Sequence, residues 1–218
     1  MPFSVEEFFR VFADYNAAIW PLQVVAHVIG LAILALQRFP SRGSDMAIML
    51  LLSAMWALNG IAYHLMHFSA INPAARLFAM LFIAQAALLF AAPFIWRGIV
   101  TPARRGAMAA VGLALALFAL AGYPLVGLMA GHSYPAVPVF GVAPCPTAIF
   151  TIGILLTGEQ KAVRWLLIVP VIWSVIGGSA AVLLNVPQDY ALVLAGLAGL
   201  ALLARSFTRH RSALPQDH

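Results

Sequence analysis

Charge is the first thing this sequence lacks. Charged residues make up 9% of its 218 positions, against about 25% in an ordinary soluble domain. Long polar stretches are missing as well, so the chain has no material for a water-exposed domain of any size. Cysteine occurs once, at Cys145. That excludes an internal disulfide and a dithiol exchange pair, and it leaves the redox compartment unread. Lysine also occurs once, at Lys161, beside a span end, which excludes a retinal-type Schiff base within a span. There is no G-x-S-x-G elbow, no H-E-x-x-H zinc helix and no phosphate-gripping glycine loop. The aspartates of an intramembrane aspartyl hydrolase are absent too. A His/Cys enzyme would need a third orienting group that the sequence does not name. No catalytic residue is assigned, and the reading leans away from an enzyme.

What is present is apolar: 63% of the residues. Several runs of about 20 residues carry no charge, which is the transmembrane signal. Seven spans are predicted near 17–37, 46–66, 77–96, 107–129, 144–158, 162–185 and 189–205. The expected fold is an all-α integral membrane bundle. It divides into an interfacial amphipathic helix at 1–15, one transmembrane domain at 16–206, and a disordered cytoplasmic tail at 207–218.

The amphipathic helix is read from "FSVEEFFRVFAD". Val5, Phe8, Phe9 and Phe12 share a face at i, i+3, i+4 and i+7. Ser4 and Glu7 have capping-box spacing, and Phe3 and Phe8 that of a hydrophobic staple. Too polar to span, the helix is expected in the membrane interface. Glu6, Glu7 and Asp14 make this start acidic, unlike a cleaved secretory signal.

Basic residues give an orientation. Arg38, Arg42, Arg97, Arg104, Arg105, Lys161, Arg164, Arg205, Arg209 and Arg211 all follow odd-numbered spans; Arg10 and Arg76 lie on the other side. The positive-inside rule then puts the N-terminus outside and the C-terminus in the cytoplasm, in a multi-pass inner-membrane protein. Because these clusters fit topology, the net charge of +5 calls for no nucleic acid, and the lipid bilayer is the expected partner. The oligomeric state is not readable.

The fifth span is short, about 22 Å against roughly 30 Å of hydrocarbon. Before it runs "GHSYPAVPVFGVAPCPT", with four prolines and no charge. Pro135, Pro138, Pro144 and Pro146 bar a regular helix, yet the segment is too apolar for water. It is predicted to be a re-entrant loop that carries Cys145 to the outer mouth of span five. Pro170 should kink span six, with a neighbour satisfying the freed carbonyl. Small-residue stripes, Ala191/Ala195/Gly199 and Ser174/Gly178, are expected helix-packing seams.

Polar residues fall in the outer half of this map, where they are costly and so informative. Asn16, Gln23, His27, Asn59, Tyr63, Gln85 and Tyr134 form a predicted ligand-binding set. His64, His67, His132 and Cys145 form a predicted metal set, with His64 and His67 spaced i, i+3 to reach one ion. Glu6, Glu7, Asp14, Asp45, Glu159, Asp189 and Asp217 all map to ends or loops, leaving no carboxylate within a span. A proton relay would then have to use His27. Three functions stay open: binding or transport of a small solute or metal ion at an outward-facing site; haem- or metal-based electron transfer; and a non-catalytic scaffold or sensor held by hydrogen-bonding glue.

"FFRVFADYNAAIWPLQ" and "GHSYPAVPVFGVAPCPTAIFTIG" resemble a family of bacterial polytopic membrane proteins of unknown function. The resemblance runs the whole chain. Some of those proteins carry an automatic label as major-facilitator permeases. That architecture implies about twelve spans in two repeated halves, whereas this sequence shows about seven and no repeat. The resemblance implies a membrane bundle and brings no binding or catalytic residue with it.

Overall fold

The structure is a computed structural model that describes residues 2–158 and 160–211. Every regular element among the described residues is helical. They are α1 (Val5–Ala18), α2 (Leu22–Arg38), α3 (Ser44–Leu58), α4 (Ala75–Ile95), α5 (Ala107–Leu117), α6 (Tyr123–Met129), α7 (Pro144–Leu156), α8 (Gln160–Leu183) and α9 (Tyr190–Arg211). Glu159, Asp217 and the rest of residues 212–218 lie outside the described residues; the backbone of α9 is helical through Arg211.

The start of α1 follows its local chemistry. Ser4 Oγ accepts from the Glu7 N–H at 3.1 Å, and Glu7 Oε2 accepts from the Ser4 N–H at 2.7 Å. The Phe3 and Phe8 rings stack 6.1 Å apart, closing the staple. The buried face is Phe8, Val11, Phe12, Tyr15 and Asn16, rotated from the predicted stripe so that Val5 is exposed. After Ala18 the chain bends by 85° into α2.

Among the described residues, five helical runs are long and apolar enough to cross a membrane: Ser44–Ala70, Ala75–Ile95, Ala107–Met129, Lys161–Leu183 and Pro187–Ala204. α1 and α2 pass that test only as a bent pair, and α7 is a shorter apolar helix. Length and composition therefore support five spans, or six with the bent pair, rather than the predicted seven. The 17 residues of α2 reach about 25 Å and the 13 of α7 about 20 Å, both short of roughly 30 Å. α7 is nonetheless the centre of the molecule: apart from Cys145, every one of its residues is buried. A helix apolar on all sides is a core helix, and α5, α8 and α9 pack around this one. At its contact with α5, Gly112 and Gly153 face each other so closely that a Cβ on either would meet the other's carbonyl.

Two runs switch to π-helix. Asn59–His67 extends α3, and Phe118–Gly122 joins α5 to α6 just ahead of Pro124. Pro124 has no N–H to give to the helix, a local reason for the change of register there. Pro170 lies within α8, which stays α-helical past it, and Gln85 Nε2 donates to the freed Leu166 carbonyl at 2.9 Å.

The two ends of the bundle differ. At one end, Asp45 accepts from the backbone N–H groups of Ile99, Val100 and Thr101 at 2.7, 2.9 and 3.2 Å. There Gln37 Nε2 also donates to Thr157 Oγ1 at 2.7 Å. At the other end, residues 130–143 fold irregularly over α1, α2 and α7. Phe140 lies 4.9 Å from Phe150 in the core. Gly141, at φ +75°, passes so close to Ala26 that a side chain has no room.

Candidate functional site

At that second end the helices leave a cavity of about 190 Å³. One wall is α1, through Phe8 and Phe12, with Phe3 just ahead of it; α4 and α8 add Phe78 and Trp173. Its mouth lies beside the exposed Pro2, Ser179 and Leu183. Deeper in the lining lie His64, Cys145 and Asp189.

His64 is delivered by the π segment of α3. It is fully buried, and neither ring nitrogen has a hydrogen-bond partner. Its ring is packed by Phe82 at 4.7 Å, Tyr63 at 5.1 Å and Trp173 at 5.2 Å. Trp173 Nε1 is buried and unpartnered as well. Cys145, at the first turn of α7, sits beside Trp173 and Asp189.

Asp189 lies at a helix end, as expected, and yet is buried. It ends a 3₁₀ turn, Pro187–Asp189, that leads into α9, inside the apolar run Pro187–Ala204. The residue is 2% exposed, and its Oδ1 accepts from the Tyr123 hydroxyl at 2.5 Å. The same turn buries Gln188 against α6 near Gly127, with both of its amide atoms unpartnered.

The predicted ligand set does not converge. Asn16 Nδ2 donates to the carbonyls of Pro135 and Val137 at 2.7 and 2.8 Å, and Gln23 Nε2 to Asn16 O at 2.7 Å. Asn59 Nδ2 donates to Met55 O at 2.8 Å and Gly141 O at 3.2 Å. These amides fasten the irregular segment to the bundle. Gln85 repairs the proline break in α8. His27 Nδ1 lies 2.8 Å from Gln23 O, its ring tilted against Phe140, and Tyr134 is exposed. Of this set, Tyr63 alone lines the cavity, stacked on Phe12 at 4.8 Å.

The predicted metal set separates into three places. His64 and Cys145 share the cavity. His67 Nδ1 lies 2.8 Å from Ala62 O, with its ring edge-on to Tyr15. His132 sits on Phe9 at 4.5 Å, where burial pushes its imidazole below the ordinary range. Among the described residues no three His, Cys, Asp or Glu side chains converge as metal ligands would. The sequence reading missed Asp189, Trp173 and Tyr123. The one available signal for Asp189 was the acid of "NVPQD", at the mouth of an apolar run.

No curated protein matches this chain, and no solved structure does. Residues 5–213 match the model of a family of unknown function, DUF6064, and the chain belongs to that family.

Proposed function

We propose that this is a multi-pass inner-membrane protein that binds a small solute in the aromatic cavity, which opens outward. The observation that carries the reading is His64: a fully buried imidazole with two unpartnered nitrogens in a cavity wall. Buried polar groups in proteins are nearly always satisfied, so an unsatisfied one beside a cavity calls for a partner from outside the fold. Transport of the same solute is the natural extension, with Asp189 as the membrane carboxylate that such coupling uses.

In this reading α1 lies in the interface, as its 85° bend from α2 favours. The basic connections between helices face the cytoplasm and the N-terminus lies outside. α2 and the core helix α7 complete seven membrane-embedded helices. The irregular 130–143 segment is re-entrant: Phe140 packs against both Gly30, midway along α2, and Phe150. Protein covers it on several sides, as backbone at membrane depth requires.

Cys145 is the built-in reporter. In right-side-out vesicles, methyl methanethiosulfonate should modify it, and Ser179→Trp at the mouth should slow the reaction severalfold. Modification that proceeds only from the cytoplasmic face, or that Ser179→Trp leaves untouched, would refute an outward-opening cavity.

A further inference from the structure

This inference rests on the cavity reading above and narrows the ligand. Among the described residues, Asp189 is a buried acid without a cation partner: Tyr123 donates to it and Cys145 lies alongside, but no described Lys or Arg acts on it. An ionised carboxylate in a low-dielectric interior is costly even with a hydroxyl donor, so the site gains from an added positive charge.

The rest of the wall decides which kind of cation fits. A bare metal ion needs several oxygen or nitrogen ligands, and no such cluster forms among the described residues. An organic ammonium instead gains from ring faces. Rings surround this cavity: Phe12 on Tyr63 at 4.8 Å, Tyr63 on Phe68 at 5.5 Å, and Phe78 against Trp173 at 5.4 Å. His64 adds an unpartnered imidazole, which as a neutral ring can accept one N–H. The space, about 190 Å³, compares with the roughly 150 Å³ cavity that holds benzene, so the body is one ring or its equivalent.

We propose that the cavity selects a small monovalent organic amine with an apolar body, its charge set on Asp189 and its N–H on His64.

The test uses two probes of equal size, benzylammonium and neutral benzyl alcohol. Each is titrated against purified full-length protein, and the readout is protection of Cys145 from methyl methanethiosulfonate, relative to the probe-free rate of the same variant. Benzylammonium should protect at a concentration at least about tenfold lower than benzyl alcohol. Asp189→Asn should erase that preference while leaving protection by benzyl alcohol in place. Should Asp189→Asn fail to give a monodisperse protein, Trp173→Leu takes its place and should weaken benzylammonium more than the alcohol. Equal protection by both probes, or a preference that Asp189→Asn leaves in place or Trp173→Leu leaves undiminished, would overturn the amine assignment and leave the cavity reading standing. Protection by neither would overturn both.

Discussion

Gln85 and Pro170 are partners across two helices. Pro170 cannot donate to the Leu166 carbonyl, and the Gln85 amide does so from α4. A residue predicted to bind ligand is thus part of the helix–helix frame. Gln85→Leu should lower stability by about 1 kcal/mol. In a Pro170→Ala background the carbonyl regains a helical donor, so the same change should cost less. A double-mutant cycle read by thermal melting in detergent checks this; additive effects would mean the two residues are not coupled.

Among the described residues, Tyr123 is the hydroxyl that donates to Asp189. Tyr123→Phe leaves the carboxylate without that bond and should destabilise the protein by about 1–3 kcal/mol. Replacing both, Tyr123→Phe with Asp189→Leu, removes donor and acceptor together and should be milder than the single change. A double variant less stable than Tyr123→Phe would show that Asp189 contributes packing that leucine cannot replace.

His132 gives a pH dependence with a definite sign. Its folded imidazole is pushed below the ordinary value of about 6.5 by burial, in a partly exposed position on Phe9 of α1. The folded state therefore binds its proton less readily than the unfolded state. Stability from this contact is complete above about 6.5 and declines as pH falls through that value toward the lower folded one. Protection factors of the α1 amides, with exchange corrected for its intrinsic pH dependence, should fall as pH drops from about 7 to 5, and His132→Phe should flatten that fall. An unchanged profile in His132→Phe would assign the effect to another group.

Asn16 fastens the irregular segment through two carbonyls, Pro135 and Val137. Asn16→Leu should loosen residues 135–143 while sparing the bundle. Exchange of those amides should rise by one to two orders of magnitude, as expected for losing about 1–3 kcal/mol locally. Equal deprotection of α7 would mean that the segment and the core unfold as one unit.

Much of this frame was legible in the sequence because it depends on short-range chemistry. The Ser4/Glu7 box, the Phe3/Phe8 staple and the Pro170 break need only neighbours in the chain or in the next helix. The cavity was not legible, for two reasons. A charge between apolar runs reads as a loop, whereas the Pro187–Asp189 turn carries Asp189 into the interior. The pairing of His64 with His67 at i, i+3 also assumes α-helical spacing through Asn59–His67. In the π-helix, i→i+5 bonding puts Asn59 and His64 on one buried face and turns His67 toward Tyr15. One change of helical register therefore decides which histidine faces the cavity.

The right-angled entry of α1 has a consequence for how affinity is measured. On the proposed placement of α1 in the headgroup layer, the cavity it walls meets its ligand there, after the ligand has partitioned from water. The concentration that counts is the one dissolved in that thin layer. Apparent affinity should then scale with the ligand's membrane partition coefficient and with the lipid present. Two laboratories using different amounts of detergent would obtain different dissociation constants for the same protein until both express them per unit of amphiphile volume.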